Sequence, residues 1–345
     1  MSTINDVARA AGVSVATVSR ALRGLDRVSP QTRARVVHAA TELHYVASPT
    51  ASSLASGRTK VVAVVVPFLT RWFFATVISG IEKALRRHDH HVLLIDLEGE
   101  SFGTRLHLSH SMLWKRVDGV IVLATRLDEQ EQALIDRLGL PVVTIGNRIR
   151  DWSCVRIDDK EAMRTAVRHV LDLGHTDVAY VGGVPDTSAD VQTPQDRARA
   201  FADTLAERGL GCPPEWVIES DWTAVGAARD IMAVLNRPSR PTAVAAASDE
   251  MALGVMAAAR RSGLAVPQDL SVIGVDDHVL SEALGLTTVR QDVLRQGRRA
   301  GEALMRQLVD ETAAAVDEVM PVQLVVRAST APPPKTRGGT RVTNT

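Results

Sequence analysis

A helical segment near the start of the chain presents an arginine that could recognise a nucleic-acid base. Over residues 15–22 the apolar spacing buries Val18 and Leu22 and leaves the opposite face free, with Arg20 on that face. A guanidinium can donate two hydrogen bonds to O6 and N7 of one guanine, which discriminates between bases by about 1–3 kcal/mol. The alternative interpretation of Arg20 is an ordinary solvated helix residue. The free face therefore predicts base recognition in the major groove of DNA.

The other side chains on this segment are suited to less specific contacts. Val15 and Ala16 offer only apolar contact, for instance with a thymine methyl group. Thr17 and Ser19 are suited to phosphate oxygens, which position a protein on DNA without specifying the base sequence.

A preceding helix must position this segment. Residues 4–11 place apolar side chains on one face, Gly12 breaks the helix, and Ser14 can cap the next one. Two short helices joined by a glycine-containing turn form a helix-turn-helix unit, whose second helix enters the major groove. These residues therefore predict a DNA-binding head.

A third helix completes the predicted head. Ser29 can act as its N-cap and Pro30 as its first residue, and the helix extends to about Leu43. Its predicted buried stripe comprises Val36, Val37, Ala40 and Leu43. A short polar linker follows, in which Ser48 can cap a helix and Gly57 can end it; this linker could be coil or helix depending on its partner.

The charge of the chain is unevenly distributed. The whole sequence has 40 basic and 40 acidic residues, but its first 60 residues hold eight Lys/Arg and three Asp/Glu. The head is therefore basic and the remainder acidic, which places the attraction for phosphate at one end.

From residue 61 the pattern changes to alternating strands and helices. Residues 61–66 are a continuous apolar run, as in a strand buried on both faces. The alternation predicts about ten strands in two parallel, doubly wound sheets. Further predicted strands are 91–96, 119–124, 142–145, 177–181, 216–220, 243–246 and 271–275; predicted helices are 76–88, 104–115, 128–138, 160–173, 195–208, 225–235 and 250–262. The Pro- and Gly-rich stretch from Ala331 onward predicts a disordered tail.

Length and composition limit the number of domains and the cellular compartment that we expect for this chain. A length of 345 residues predicts two or three domains. Cys154 and Cys212 have no paired spacing, which favours a reducing compartment. Charged residues replace the apolar core of a signal peptide, and no apolar run reaches membrane-spanning length, so we expect a cytoplasmic protein without membrane association.

No catalytic, cofactor or metal motif stands out. There is no GxGxxG, GxxxxGK[ST] or GxSxG sequence. The run from His88 to His91 lacks the helical spacing of a metal site and a further ligand nearby. We therefore expect neither an enzyme nor a bound cofactor or metal.

An ordered series of motifs resembles the LacI/GalR (lactose-repressor) family of bacterial transcription regulators. The resemblance covers residues 2 to about 330 and includes 3–22, 28–33, 57–59, 181–183, Arg197 with Phe201, 221–222, 248–254, 274–277 and 286–291. It implies an α/β protein with a three-helix helix-turn-helix head (1–46), a hinge helix or linker (47–60), a two-lobed core of doubly wound parallel sheets like that of periplasmic binding proteins (61–330) and a tail (331–345).

The resemblance also implies how the chain would contact an operator. Leu54 is expected to wedge into the minor groove and kink the duplex, although it could instead pack on a lobe surface. Ala47 and Ser48 stand where Pro and Asn are common in the family, which puts the stability of the hinge helix in question. The expected DNA contacts are Thr3, Ser14, Val15, Ala16, Thr17, Ser19, Arg20, Ser29, Thr32, Ser48, Ala51 and Leu54.

For the core, the resemblance implies an effector bound between the lobes, at the carboxyl ends of the strands. Asp249 could accept hydroxyl hydrogens, Arg197 could donate to oxygens, and Trp222 could stack on a sugar ring. The alternatives are a structural ion pair for Arg197 and Asp249 and plain core for Trp222. Weaker candidates are Phe68, Trp72, Phe73, Asn147, Asp158 and Gln291. Gly146 stands where many relatives carry Asp, so one polar contact could be absent.

These features together predict a ligand-responsive repressor of carbohydrate-metabolism genes. The expected partners are near-palindromic double-stranded operator DNA, a sugar or sugar derivative, and a second copy of the chain. Without a leucine-heptad tail we expect a homodimer and not a tetramer. Whether the effector releases DNA or promotes binding stays open. The alternatives are a sugar-binding protein or a sugar-modifying enzyme that carries a DNA-binding head.

Overall fold

A computed structural model describes residues 2–22, 24–45, 57–98, 105–183, 192–310 and 312–334. The chain forms two compact units, Met1–Lys60 and Val61–Thr345. The first unit, the head, contains α1 (Ile4–Ala11), α2 (Val15–Leu22) and α3 (Pro30–Glu42).

The head has its own small apolar core. Val7, Val18 and Val36, one from each helix, are fully buried. Thr3 and Asp6 form a reciprocal capping box at the start of α1, and Gly12 ends this helix with a φ of 62°, which favours glycine. The predicted burial of Val37 is wrong, since this side chain is 47% exposed and Ala39 is buried in its place. The helical period brings residues 36, 39 and 40 onto one face.

The second unit contains two six-stranded sheets. The first lobe holds the sheet ordered β11-β5-β4-β3-β1-β2, in which neighbouring strands run parallel. Its strands are β1 (Val61–Val66), β2 (His91–Asp96), β3 (Gly119–Leu123), β4 (Val142–Ile145), β5 (Ser153–Ile157) and β11 (Asp317–Met320). Its helices are α4 (Trp72–Arg86), α5 (His110–Leu113), α6 (Glu129–Leu138) and α12 (Val293–Val309).

The second lobe holds the sheet ordered β12-β10-β9-β8-β6-β7, parallel except for the edge strand β12. Its strands are β6 (Val178–Gly183), β7 (Val217–Ser220), β8 (Ala243–Ala246), β9 (Ser271–Asp276), β10 (Thr287–Gln291) and β12 (Val322–Val325). Its helices are α7 (Asp159–Asp172), α8 (Gln192–Ala206), α9 (Ala224–Leu235), α10 (Asp249–Arg261) and α11 (Val279–Ala283). In the described part of the chain, the backbone passes between the sheets three times: after β5, after β10 and between β11 and β12.

Helices α4 and α12 of the first lobe approach each other very closely. A Cβ on Gly80 would overlap the carbonyl oxygen of Leu294, and a Cβ on Gly297 would overlap that of Val77. Glycine is therefore required on both helices for this backbone-to-backbone packing.

Two of the predicted segments differ from the structure. The helix expected over 104–115 is wrong for its described part, where helix begins only at His110. The backbone N–H of Leu108 and the guanidinium of Arg105 both donate to Glu131, each at 2.8 Å, which holds this stretch in an extended form. The prediction of a disordered tail from Ala331 is wrong at its start, where the backbone N–H of Ala331 donates to Ser271 Oγ at 3.0 Å. The remainder of that predicted tail, 335–345, lies outside the described residues.

The sequence patterns also leave β5, β10, β11, β12, α11 and α12 without a predicted element. Among the residues that the structure describes, no helix combines the length and apolar character needed to cross a membrane.

Candidate nucleic-acid interface and ligand cleft

The free face of α2 carries the side chains predicted to read bases. Val15 is 39% exposed, and Ala16 and Arg20 are also exposed, whereas Val18 and Ala21 are buried in the head core. The structure therefore brings an arginine and two small apolar side chains together on one accessible helical surface.

Several of the other predicted DNA contacts lie at helix starts. Ser14 Oγ accepts from the backbone N–H of Thr17 at 3.1 Å, and Ser29 Oγ accepts from that of Thr32 at 3.2 Å. Thr3 Oγ1 accepts from the backbone N–H of Asp6 at 3.4 Å. Helix N-termini attract anions, so these caps are compatible with nearby phosphate. Ser19 is half-buried on α2.

One basic residue of the head has a structural role that composition does not reveal. Arg33 donates from Nη1 to the carbonyl oxygen of Ala21 at 3.2 Å and from Nη2 to that of Leu25 at 2.8 Å. Arg33 thus ties the end of α2 to α3 and holds the exposed helix in place. Ser48, Ala51 and Leu54 lie outside the described residues and stay predictions.

A ring contact joins the two lobes of the core. Trp72 begins α4 after β1, His278 follows β9, and their ring centroids lie 4.7 Å apart. Because β1 and β9 belong to different sheets, the carboxyl ends of the two sheets face each other here, at the place where a cleft between the lobes is expected.

Further aromatic side chains lie close to Trp72 in the sequence and pack on one another. The guanidinium of Arg71 lies 3.9 Å from the Phe68 ring centroid, and Phe68 in turn is 6.1 Å from Phe74. Phe73 packs edge-on against Phe74 at 5.3 Å. Phe68 and Trp72 both follow β1 and pack, partly buried, against the apolar core.

Arg197 is a buried arginine whose charge is already neutralised. It is 4% exposed, and its Nε donates to Asp159 Oδ1 at 2.8 Å. Nη1 donates to the carbonyl oxygen of Ala247 and lies 4.0 Å from Asp276 Oδ1. Burial opposes the charge of Arg197, but the two carboxylates outweigh it and raise the pKa of the guanidinium. The contacts of Arg197 in this structure are therefore those of a structural ion pair, which was the alternative interpretation of this residue.

Asp159 and Asp276, both beside Arg197, were missed in the sequence. The neighbouring candidate Asp158 is exposed and accepts from the backbone N–H of Glu161 at 2.9 Å, so it serves as the N-cap of α7. Its role as an effector contact stays a prediction. The sequence feature that could have identified Asp276 as a residue of the site is its place in the motif 274–277, at the end of a predicted buried strand.

Asp276 and Gln291 form a buried polar pair at the carboxyl ends of β9 and β10. Gln291 Nε2 donates to Asp276 Oδ1 at 2.6 Å, and Gln296 Nε2 donates to Gln291 Oε1 at 2.8 Å. Burial raises the pKa of Asp276 to about 7. A carboxyl group in this state can donate as well as accept a hydrogen bond near neutral pH.

Asp249 has its hydrogen bonds within the second lobe. It is fully buried, and its oxygens accept from Ser281 Oγ at 2.6 Å, Thr288 Oγ1 at 2.6 Å and the backbone N–H of His278 at 2.8 Å. Burial raises the pKa of this carboxyl group too. Asp249 therefore holds the segment that carries His278 in place. A contact between Asp249 and an effector stays a prediction.

Trp222 and Asn147 offer surfaces at the same edges of the two sheets. Trp222 follows β7, and its indole lies so close to Gly183 at the end of β6 that a Cβ there would overlap it. Asn147 follows β4 and is 9% exposed, and neither of its amide atoms has a hydrogen-bond partner in the described part of the chain. Next to it, Gly146 has a φ of 89°.

A possible metal-binding group lies elsewhere. Ligand atoms of His107, Asp128 and Glu131 lie within 4.8 Å of one another. However, Glu131 accepts from Arg105 and from two backbone N–H groups, those of Leu108 and Asp128. A cation already occupies the position beside this carboxylate, so the group is better explained as a network that caps α6.

Two family models match different parts of the chain, and a curated relative matches nearly all of it. Residues 3–48 match the model for bacterial regulatory proteins of the lacI family, and residues 167–330 match a periplasmic binding protein-like domain. The HTH-type transcriptional repressor PurR of Vibrio campbellii is 35% identical over 336 residues, covering 95% of this chain and 98% of the relative.

Two solved structures share the fold. The lac repressor dimer bound to operator and the anti-inducer ONPF is similar with a TM-score of 0.81 and 27% identity, covering 96% of this chain and 99% of that one. A complex of the transcriptional regulator CelR with cellobiose is similar with a TM-score of 0.69 and 29% identity, covering 95% of this chain and 100% of that one.

Proposed function

This chain belongs to the lacI family of bacterial regulatory proteins, and from that premise we propose that it represses transcription by binding operator DNA under the control of a small-molecule effector. The observation that carries the proposal is the exposed base-reading face of α2, in a chain that matches a transcriptional repressor over nearly its whole length. None of its motifs supports an enzyme.

In this proposal Arg20 reads a guanine while Val15 and Ala16 make apolar base contacts. The starts of α1, α2 and α3, with Thr3, Ser14, Thr17, Ser29 and Thr32, lie along the phosphates, as does Ser19. Leu54 inserts into the minor groove, and Ser48 and Ala51, which precede it in the linker, contact the DNA as well. The head would span residues 1–46 and the linker 47–60.

We place the effector in the cleft between the lobes of residues 61–330. Aromatic walls at Phe68, Trp72 and Trp222 and buried polar groups at Asn147 and Gln291 are the combination that binds sugars. The similarity to a regulator solved with cellobiose supports a sugar or sugar derivative, and hence genes of carbohydrate metabolism.

An exposed apolar surface supports a homodimer. Val279, Leu280 and Leu284, on and just after α11, are 69%, 48% and 53% exposed. A two-fold dimer buries one such patch against its copy and presents two heads to a near-palindromic operator. Movement of the lobes by an effector would then change the spacing of the two linkers.

Selection of DNA from a random pool by the full-length protein tests the proposal. We expect a near-palindromic consensus, tight binding that weakens steeply with salt, and a change in this binding when the right sugar is added. Fluorescence anisotropy with the selected duplex and with a shuffled duplex measures both effects. Equal binding to the two duplexes would rule out operator recognition.

A further inference from the structure

The first observation is an unsatisfied amide at the cleft. Asn147 is 9% exposed and follows β4, two strands away from β1 in the first sheet, so it shares the carboxyl edge that carries Trp72. Neither Oδ1 nor Nδ2 has a hydrogen-bond partner in the described part of the chain. Because buried polar atoms are normally hydrogen-bonded, this amide is suited to a ligand that both donates and accepts.

The second observation is the charge balance around the cleft. Arg197 is paired with Asp159 at 2.6 Å from Nη2 and lies beside Asp276. Arg148, next to Asn147, pairs with Asp317 at 3.2 Å. These two guanidinium groups therefore already have carboxylate partners.

At the rim of the cleft, too, positive charge is either balanced by nearby carboxylates or absent. Burial lowers the pKa of Arg71, and the negative charges of Glu250 and Asp221 on the second lobe favour its charged form. Burial also lowers the pKa of His278, which keeps this imidazole neutral at pH 7. An anionic ligand would thus have to compete with carboxylates for Arg197, Arg148 and Arg71.

The third observation is the shape of the walls. Trp72 and His278 contribute flat faces from opposite lobes, and Trp222 adds a third at the end of β7. Flat apolar faces pack against the C–H surface of a ring, whereas hydroxyl groups at the ring edge can each donate and accept.

From these observations we infer that the cleft selects an uncharged, polyhydroxylated ring and that Asn147 determines this specificity by bonding two neighbouring hydroxyl groups. The inference rests on the proposed effector site and narrows it, because it excludes sugar phosphates and sugar acids.

Asn147→Leu tests the inference, since leucine has a similar volume and no polar atoms. Full-length wild type and variant are titrated by calorimetry with neutral mono- and disaccharides, including cellobiose and ribose, and with glucose 6-phosphate and glucuronic acid. Asn236→Leu, at an exposed helix end, is the matched control. Asn147→Ala provides the same comparison if leucine is not accommodated.

We expect Asn147→Leu to weaken binding of the best neutral sugar about tenfold to a hundredfold, from the loss of two hydrogen bonds. Without sugar, its melting temperature should equal or exceed that of the wild type, and its operator affinity should be unchanged. A structural role for Asn147 would instead lower the melting temperature of the unliganded protein.

The possible failures are distinguishable. Equal sugar affinity of wild type and Asn147→Leu, a lower melting temperature of the unliganded variant, or tighter binding of a phosphorylated or acidic sugar than of its neutral parent would each overturn this inference alone. Absence of binding by every sugar, with operator binding intact, would overturn the proposed sugar effector as well.

Discussion

Two arginines show how the same side chain serves opposite purposes in this protein. Arg20 is exposed on α2, where its guanidinium is available to a base edge. Arg197 is 4% exposed and held by Asp159, so it organises the loops around the cleft. The surroundings of each arginine, and not its residue type, therefore determine whether it is available to a ligand or holds the protein's own structure.

Arg20→Ala should remove most of the sequence selectivity of DNA binding. Loss of a bidentate guanine contact costs about 1–3 kcal/mol, or roughly tenfold to a hundredfold in the ratio of specific to non-specific affinity. Anisotropy with the selected and the shuffled duplex measures this ratio. Arg35→Ala, an exposed arginine on α3, is the control and should leave the ratio unchanged. Retained selectivity in Arg20→Ala would contradict the role of this residue.

Asp276 should make the stability of the core depend on pH. Its pKa of about 7 in the folded protein lies above the ordinary value of 3.8, so the folded state holds a proton that the unfolded chain releases. This carboxyl group alone should therefore add about 1 kcal/mol to the stability as pH falls from 8.5 to 6.5. The buried His169, His175 and His278, whose pKa values are lowered by burial, act in the opposite direction near pH 6.5, because their imidazoles take up protons there in the unfolded chain.

Urea unfolding of wild type and Asp276→Asn across this window checks the assignment. The amide cannot titrate, whereas the histidines titrate in both proteins, so the unfolding midpoint of the wild type should rise relative to that of the variant as pH falls. An equal slope in both proteins would show that another group takes up the proton.

The sequence indicated polar residues of the cleft but not their partners. Asp158 and Asp159 are adjacent and chemically identical, and only the fold shows that the second one faces Arg197. Asp249 and Asp276 both follow strands, yet hydrogen bonds from Ser281 and Thr288 commit the first to the scaffold. Such distinctions depend on contacts between residues far apart in the chain, which local spacing cannot reveal.

At the scale of elements, apolar strands were predictable and polar ones were not. The limits of β2, β4 and β8 agree with the prediction, because these strands interrupt helical periodicity with short apolar runs. In β10, by contrast, Thr287 and Thr288 are buried because Ser329, Asp249 and other partners satisfy their polar groups. Half-exposed edge strands such as β11 lack an apolar run altogether.

The crossing of α4 and α12 should make Gly297→Ala destabilising. An exposed helical glycine would gain about 1 kcal/mol from this change, but a Cβ here would overlap the carbonyl oxygen of Val77. Forcing the helices apart should cost about 1–3 kcal/mol in unfolding free energy. Gly211→Ala, where nothing lies within 4 Å of the added Cβ, is the control and should be neutral. A stabilised Gly297→Ala would show that the helices can separate freely.

At the scale of the whole molecule, α11 should govern self-association. Leu280→Asp places a charge within the exposed apolar surface and should shift the protein from dimer to monomer in analytical ultracentrifugation. Binding to a palindromic duplex should weaken in parallel, because each monomer reads one half-site. Val309→Asp, at a 77% exposed site at the end of α12, should leave the dimer intact. A Leu280→Asp dimer of unchanged affinity would place the interface elsewhere.

The three passages of the chain between the lobes limit how this gene can evolve. Each lobe takes its last strand, β11 or β12, from the same short stretch near residue 320, so a premature stop before it would damage both lobes at once. Recombination cannot exchange one lobe as a continuous segment without breaking the other. The head and the core, however, are divided at a single point, between Lys60 and Val61. New operators can therefore be acquired by swapping one block of coding sequence, whereas new effectors must arise by substitution within the existing core.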